Sequence, residues 1–402
     1  MVNFPRILFL TNEPPHTAAA GAVVFFRLFR DYPPENLLIV SNTQLPSAAG
    51  RLACRYSFLP LIADRLNRTR LWPWKAILRS VGASKIVRLR RVDALLAGFK
   101  PDIVLTLMQD SWFYDLAARY AAARRLPLVL FVHDLSHGFE PVPGWLQRTQ
   151  LARDRAVYGQ ACVRLCISQP MVDYFAQEFR LSGEVLPPPR SENLPSQTPE
   201  NCLQLKTPGR LTLGYAGGLH YGYGEQLLAM LPVLRETGTA VEVYGPDPSG
   251  GLAALRQAND VFHFNGYAPT PEDAARGVLG KCDAILQPYL NPPGVHARQY
   301  RTHFPSKLGD CLALGLPLLV TGPADAAGTA WCMARPGCAL TVTEPEPAAL
   351  ATALTQLRED ATFRVTLART AQEAANEFAM PKLRAQLLAQ LLLAAQTAQP
   401  CW

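Results

Sequence analysis

The chain has few charged residues and no long apolar run. Only 18% of its 402 residues are charged and 49% are hydrophobic, a balance that excludes an intrinsically disordered chain. No apolar run approaches the roughly 18 to 20 residues that a transmembrane helix needs. The first residues lack the length and the small-residue cleavage site of a secretory signal, so we expect the protein to stay in the cytoplasm.

Patterns that bind metals are also missing. The nine cysteines show no repeated CxxC and no Cys/His ligand spacing, so we expect reduced and mostly buried thiols. The second half contains no aspartate-any-aspartate motif, and we expect neither a metal nor another cofactor. Without zinc-finger spacing, an RNP-like aromatic motif or a basic recognition helix, the sequence indicates no specific nucleic-acid partner.

Acidic residues are absent from residues 65–91, although basic ones are frequent there. This segment also contains Trp72 and Trp74, and its basic residues are Arg65, Arg68, Arg70, Lys75, Arg79, Lys85, Arg88, Arg90 and Arg91. Basic side chains interleaved with tryptophans and aliphatic residues are typical of a helix that lies on an anionic membrane surface. A cationic helix packed on its own domain has the same pattern. A net charge of +7 also favours anionic partners.

Short buried strands alternating with helical patterns run through the whole chain. The predicted strands are residues 6–12, 37–41, 102–107, 126–134 and 163–168, then 211–217, 240–245, 261–267, 283–289, 316–322 and 340–343. This alternation predicts two doubly wound α/β domains, each with a parallel sheet covered on both faces. We place the domains at residues 1–186 and 205–375, with a proline-rich linker and hinge at 187–204 and a terminal helical segment at 376–402.

Residues 304–323 form the most informative segment. They predict a loop that presents Lys307 and Asp310, a short helix that ends at Gly315, and a buried strand. A cation beside a helix N-terminus suits a diphosphate, and an aspartate one turn further along can accept both hydroxyls of a ribose. The alternative is an ordinary surface pair at i,i+3 spacing.

This segment resembles the donor-binding signature of GT-B glycosyltransferases, in particular those of family 4. The resemblance implies two Rossmann-like domains that face each other across a cleft, with the acceptor on the first and a nucleotide sugar on the second. It implies that Lys307 contacts the diphosphate, that Asp310 holds the ribose, and that the turn at Gly266 and Tyr267 holds the base. It also implies that the C-terminal helix packs back on the first domain, although a helix that caps its own domain fits the sequence equally well.

Two parts of the family pattern are changed. The glycine turn at Gly217 and Gly218 can approach phosphate closely, but the family's arginine and lysine are missing there. Arg298 and Arg301 precede Lys307 and could neutralise a pyrophosphate instead, unless they belong to an ordinary solvated loop. Thr302 occupies the position of the first of two family glutamates, which leaves the sugar and the stereochemical outcome open.

The first half contributes three further candidates. His133 and Asp134 follow a strongly apolar strand, and GT-B enzymes often have a histidine here that contacts the donor sugar. The pair could serve as a general base in an inverting enzyme, or could simply cap the next helix. Gly21 lies in the loop after the first strand and resembles part of the glycine pair with which the family approaches the diphosphate.

We therefore predict a glycosyltransferase of hexosyltransferase type, with a retaining outcome as the family implies. It would transfer a sugar from a nucleotide-diphosphate donor to a glycan or lipid-linked acceptor, peripherally on the inner face of a membrane. Two alternatives stay open: a nucleotide-sugar epimerase of the same fold, and a noncatalytic protein that only binds nucleotide sugar.

Overall fold

The chain forms two compact units in the computed structural model. The structure describes residues 4–17, 20–43, 50–60, 87–108, 111–135, 144–220, 222–245, 253–289, 297–343 and 346–397. One unit consists of Met1–Pro187 together with Pro381–Trp402, and the other of Pro188–Met380. The chain therefore passes from one unit to the other twice, after Pro187 and after Met380.

The first unit is built on a seven-stranded parallel sheet. Its strands are β1 (Ile7–Thr11), β2 (Leu37–Ser41), β3 (Arg55–Phe58), β4 (Ile103–Leu107), β5 (Leu128–Val132), β6 (Val163–Cys166) and β7 (Glu184–Val185). They lie in the order β3-β2-β1-β4-β5-β6-β7. Every residue of β1, β2, β4 and β5 is buried, as expected where helices cover both faces of a sheet.

In the described part of this unit, five helices connect these strands. They are α1 (Ala20–Phe29), α2 (Leu89–Leu96), α3 (Ser111–Arg124), α4 (Gly144–Gln160) and α5 (Gln169–Phe179). Local sequence explains the ends of α5. The Ser168 side chain accepts a hydrogen bond from the Met171 amide, Pro170 occupies the first turn, and Arg180 ends the helix in the left-handed conformation with φ 60°.

The second unit contains a six-stranded parallel sheet. Its strands are β8 (Thr212–Ala216), β9 (Ala240–Tyr244), β10 (Phe262–Phe264), β11 (Ala284–Pro288), β12 (Leu318–Thr321) and β13 (Leu340–Val342). The helices are α6 (Tyr223–Glu236), α7 (Ala253–Gln257), α8 (Pro271–Lys281), α9 (Ala297–Thr302), α10 (Leu308–Ala313), α11 (Ala327–Met333), α12 (Pro347–Glu359) and α13 (Ala361–Ala374). The strand order is β10-β9-β8-β11-β12-β13.

In each sheet the strand order reverses at one point, between β1 and β4 in the first and between β8 and β11 in the second. Ligands of open parallel sheets bind beside such a reversal, at the carboxyl ends of the strands. The turns that follow β8 and its neighbours are therefore where the second unit can hold a ligand.

The last helix, α14 (Met380–Gln396), belongs to the first unit from Pro381 onward. Its apolar side chains Leu383, Leu387 and Leu391 are almost completely buried. Arg384 donates to the Arg27 carbonyl at 2.8 Å and pairs with Asp31, while Gln386 donates to the Val185 carbonyl at 2.8 Å. The burial of these leucines and the hydrogen bonds of Arg384 and Gln386 therefore hold α14 against the rest of the first unit.

The proline-rich segment predicted as a linker at 187–204 is attached to the second unit. The Gln197 amide donates to the Leu314 carbonyl at 2.9 Å, and residues 199–203 form a 3₁₀ turn. The buried Arg364 guanidinium donates to the carbonyls of Cys202 at 2.8 Å and Leu203 at 3.0 Å. Pro188 onward therefore packs as part of that unit's own structure.

The doubly wound fold predicted from the strand alternation is confirmed, and β3 and β7 are additions to it. Both of these strands lie at the edges of their sheet, and their side chains are exposed or half-buried. A two-residue strand such as β7, or a half-exposed one such as β3, lacks the continuous apolar run that marks the buried strands. Hydropathy therefore identified the centre of the sheet and not its margins.

Candidate functional site

Lys307 lies across the glycine turn that follows β8. Its Nζ donates to the Ala216 carbonyl at 2.7 Å and lies 4.6 Å from the centre of the Tyr215 ring. A Cβ atom added to Gly217 would come within 2.6 Å of this Nζ. The structure thus brings together the lysine before α10 and the glycine turn at the reversal of strand order, which are about 90 residues apart in sequence.

Burial lowers the pKa of the Lys307 ammonium from its ordinary value of 10.5. The carbonyl and the aromatic face are neutral partners, so they compensate only part of the hydration that the charge has lost. An anion placed at the Gly217 turn would supply the missing countercharge. The site is therefore electrostatically suited to a phosphate group.

The turns after β8, β9 and β10 are in backbone contact with one another. The Gly217 amide donates to the Tyr244 carbonyl at 2.9 Å, and the Gly245 amide donates to the Gly266 carbonyl at 3.0 Å. A Cβ at Gly245 would come within 2.2 Å of the Gly217 carbonyl oxygen. Glycines at these positions allow the three turns to form one continuous surface.

The turn after β10 is held by a polar cluster around Glu242. Its carboxylate lies 2.8 Å from His263 Nδ1 and accepts from Asn265 Nδ2 at 2.7 Å and from Lys281 Nζ at 3.4 Å. Lys281 also donates to Asn265 Oδ1 at 2.6 Å, so both ends of that amide are bonded. Gly266 follows with φ 79°, and the Tyr267 ring is 67% exposed. The predicted base-binding turn is therefore rigidly supported and presents an aromatic ring to solvent.

Asp310, the predicted ribose ligand, is buried on α10. Its Oδ1 accepts a hydrogen bond from the Ser191 amide at 2.7 Å. The Ser191 hydroxyl in turn donates to Glu272 in the first turn of α8. A serine and a second carboxylate therefore accompany the aspartate, and nothing in the sequence around Ser191 indicated this.

The predicted arginines lie on α9. Arg301 forms an ion pair with Asp325, with Nε 2.6 Å from Oδ2, and both side chains are more than half exposed. Such exposed pairs contribute little to stability, so this one could be exchanged for a pair with a bound phosphate. Thr302 at the end of α9 is buried. Arg298 lies on the same helix, but its side chain is outside the described part of the structure.

In the first unit, His133 and Asp134 follow β5 directly. His133 Nδ1 lies 3.0 Å from Asp134 Oδ2, and the imidazole is 7% exposed. Among the described residues, no group bonds to the buried Nε2. The aspartate thus orients the ring, and the second nitrogen is unsatisfied.

The prediction that Gly21 lies in the loop after β1 is wrong, because α1 already begins at Ala20. No atom lies within 4 Å of the position that a Cβ at Gly21 would take. The glycine is therefore in the first turn of a helix with open space beside it.

The described residues contain neither a candidate membrane-spanning helix nor a cluster of metal ligands. No helix among them is long and apolar enough to cross a membrane. No group of three or more His, Cys, Asp or Glu side chains in this part of the chain is arranged to hold a metal ion. Most of the basic segment 65–91 lies outside the described residues, and Arg88, Arg90 and Arg91 of that segment are exposed.

Comparisons with known proteins agree with this geometry. Residues 18–188 match the family model of the Glycosyl transferase 4-like domain. HepE of Anabaena, solved in complex with UDP, superposes with a TM-score of 0.69 at 16% identity, covering 96% of this chain and 100% of that one. Sucrose-phosphate synthase of Thermosynechococcus elongatus superposes with a TM-score of 0.68 at 14% identity, covering 98% and 100%.

A third structure is WaaG, a glycosyltransferase involved in lipopolysaccharide biosynthesis, with a TM-score of 0.59 and 15% identity over 95% of this chain and 98% of that one. A search of curated protein sequences finds no significant match. The fold of the two units is thus the GT-B fold. The domain match covers residues 18–188, which make up most of the first unit, and assigns a Glycosyl transferase 4-like domain to that part of the chain.

Proposed function

We propose that this glycosyltransferase transfers a hexose from a nucleotide-diphosphate donor to a glycan or lipid-linked acceptor. The observation that supports this best is the position of Lys307, whose Nζ lies over the Gly217 turn at the strand-order reversal. A half-buried cation beside closely approachable backbone is suited to a diphosphate. HepE has been solved with UDP-glucose, so UDP-glucose is the first donor to test.

Each part of the donor has a proposed partner. Lys307 binds the diphosphate, together with Arg301 and Arg298 of α9, and the turn at Gly217 and Gly218 approaches it with backbone amides. For Gly21 of the first unit we propose a backbone contact to the diphosphate. Asp310 binds the ribose, Tyr267 stacks on the base, and His133 with Asp134 contacts the sugar.

These fixed positive groups act on the leaving group. Charge develops on the nucleotide diphosphate as the glycosidic bond breaks, and a preorganised lysine and arginine stabilise that charge without reorganisation of solvent. We propose that they do so without a metal or another cofactor. Thr302 in place of the family glutamate contributes a hydroxyl and not a charge, and we propose that the retaining outcome of the family is kept despite this change.

We propose that the first unit binds the acceptor. Arg88, Arg90 and Arg91 are the exposed, described arginines of the basic segment 65–91. We propose that this segment binds an anionic membrane surface on which a lipid-linked acceptor is presented. Sedimentation with anionic liposomes tests this step. Equal binding after replacement of all three arginines by glutamine would contradict it.

A binding screen followed by a transfer assay tests the function itself. Thermal unfolding is measured with a panel of nucleotide sugars, because a ligand at 100 times its dissociation constant stabilises a fold by about 2.7 kcal/mol. The donor that shifts the transition is then incubated with lipid-linked and glycan acceptors. Asp310→Ala and Lys307→Met should lose the shift and the transfer, whereas the exposed-site variant Lys382→Met should keep both. No shift with any nucleotide or nucleotide sugar would refute the donor site.

A further inference from the structure

Ser191 connects two carboxylates of the second unit. Its amide donates to Asp310 Oδ1 at 2.7 Å, and its hydroxyl donates to Glu272. Ser191 itself is 5% exposed and lies close behind Pro188, where the chain enters the second unit. A buried serine at this position is therefore bonded both to the proposed ribose ligand and to the start of α8.

The segment through which the chain leaves the second unit packs against the same region. The Arg190 amide donates to the Phe378 carbonyl at 2.9 Å, shortly before Met380. A Cβ at Gly309 on α10 would come within 2.7 Å of Phe378 Cβ and 3.3 Å of Arg190 Cβ. The entering and leaving segments thus pack together against the helix turn that carries Asp310.

A carboxylate that must accept two ribose hydroxyls needs a defined rotation about its side-chain bonds. The hydrogen bond from the Ser191 amide restrains that rotation because it holds one oxygen of Asp310 in place. The bond from the Ser191 hydroxyl to Glu272 fixes the serine, so the restraint is shared with α8. Glycine at 309 permits the close packing that brings the entering segment near enough to donate.

We propose that Ser191 is a positioning residue for the ribose of the donor, acting through Asp310, and that the entering segment thereby sets the affinity for ribonucleotides. This inference rests on the proposed function, since it assumes that Asp310 binds a ribose. It predicts discrimination: a nucleotide that lacks the 2′-hydroxyl loses one hydrogen bond to the oriented carboxylate. A hydrogen bond to a charged group corresponds to a preference of about tenfold or more.

The test compares UDP with 2′-deoxy-UDP, and likewise the other common nucleoside diphosphates with their 2′-deoxy forms, by calorimetry on the full chain. Ser191→Pro removes the donating amide, and Ser191→Ala keeps that amide but loses the bond to Glu272. The ratio of the two affinities should fall to near one in Ser191→Pro and to an intermediate value in Ser191→Ala. Ser191→Thr retains both the amide and the hydroxyl, so its ratio of the two affinities should equal that of the wild type.

Two controls separate positioning from general destabilisation. Ser196→Pro places a proline at an exposed position of the same segment and should leave the ratio unchanged. Glu272→Gln keeps an acceptor of the same shape without the charge, and should lower the ratio less than Ser191→Ala does. If Ser191→Pro does not fold, Ser191→Ala and Glu272→Gln provide the measurement. A loss of affinity that is equal for both nucleotides would mean a merely structural role and would overturn the proposal.

The outcomes also distinguish this inference from the function on which it rests. If the wild-type protein prefers ribonucleotides and every Ser191 variant keeps that preference, the positioning role is wrong and the nucleotide site stands. If the wild type binds ribo and deoxy forms equally, both the positioning role and the ribose role of Asp310 are wrong. Absence of binding to any nucleoside diphosphate would overturn the proposed function together with the inference.

Discussion

Single residues decide where charge can be placed in the second unit. Lys307 has its charge against a carbonyl and a tyrosine face, and burial lowers its pKa. The loss of hydration destabilises the charged form of Lys307 in the unliganded protein, whereas a bound anion would stabilise it. The residue therefore links the free energy of folding to that of ligand binding.

A pH titration of donor binding tests this link. Because the folded-state pKa of Lys307 is below its ordinary value of 10.5, the ammonium deprotonates earlier than a free lysine as the pH rises. The affinity for a nucleoside diphosphate should therefore fall as pH rises through that lowered pKa, while the stability of the unliganded protein rises. Lys307→Arg should remove the pH dependence in this range. The same pH dependence of donor binding in the wild type and in Lys307→Arg would contradict the prediction.

Glycine substitutions at two of the three turns, those after β8 and β9, should have graded effects. Gly217→Ala meets the flexible end of Lys307 at 2.6 Å and the Tyr215 hydroxyl at 3.2 Å, so it should reduce donor affinity and should cost less stability than Gly245→Ala. Gly245→Ala meets the backbone oxygen of Gly217 at 2.2 Å, which requires the turns to separate and should cost about 1–3 kcal/mol of stability. Urea unfolding and donor titration of both variants check this.

Gly280→Ala is the matched control for that series. No atom lies within 4 Å of its added Cβ, and the position is inside α8. Alanine is favoured over glycine in a helix by about 0.5–1 kcal/mol, so this variant should be slightly more stable and bind the donor normally. A cost for Gly280→Ala as large as that for Gly245→Ala would show that the close approach of the turns is not the cause.

At the scale of the element, the turn after β10 depends on the strand beside it. Burial alone would raise the pKa of the Glu242 carboxyl, but hydrogen bonds from Asn265 and His263 and the charge of Lys281 outweigh it and lower the pKa. The carboxylate therefore stabilises the fold at neutral pH and binds β9, the Asn265 turn and α8 together. One buried acid in this way supports the position of Tyr267.

Glu242→Gln should destabilise the second unit and weaken binding of the base. The loss should be about 1–3 kcal/mol at neutral pH, because buried donors lose their charged acceptor. Since the folded-state pKa is depressed below 4.5, this contribution is present above pH 4.5 and is lost as the pH falls through the folded-state pKa. Urea unfolding at pH 7 and pH 3.5 should show a difference from wild type that shrinks at the lower pH. The exposed-site variant Glu236→Gln should differ little from wild type at either pH.

At the scale of the whole molecule, the end of the chain completes the first unit and not the second. Leu387 on α14 is 3% exposed, whereas Leu393 on the same helix is 53% exposed. Both lie beyond the point where the chain leaves the second unit. The sequence left open whether α14 packs on the first or on the second domain. The apolar stripe of α14 shows that one face is buried, but it does not indicate which domain buries it.

Paired alanine substitutions on α14 test this assignment. Leu387→Ala should lower the free energy of unfolding by about 2–5 kcal/mol, because it leaves a cavity at a buried position. Leu393→Ala should change it by less than about 0.5 kcal/mol. The stabilisation by nucleotide should persist in both variants because most of the proposed nucleotide contacts, among them Lys307 and Asp310, lie in the second unit. Disappearance of the nucleotide shift in Leu387→Ala alone would contradict the division.

The sequence by itself determined the alternation of strands and helices, and with it the two doubly wound sheets. That information is local, since a buried strand requires a continuous apolar run wherever it lies. It also predicted Lys307 and Asp310 as candidate donor ligands, because their segment combines a short helix, a charge and a following strand. Edge strands such as β3 carry no such run, and the sequence did not reveal them.

Only the tertiary structure decided which residues meet. Lys307 reaches the Gly217 turn, and Ser191 reaches Asp310 across 119 positions of sequence, because parallel crossovers bring distant strand ends to one edge of the sheet. Such contacts depend on strand order and close backbone approach, which no spacing along the chain encodes. The candidate donor residues were therefore visible in the sequence, whereas their supporting partners became visible only in the fold.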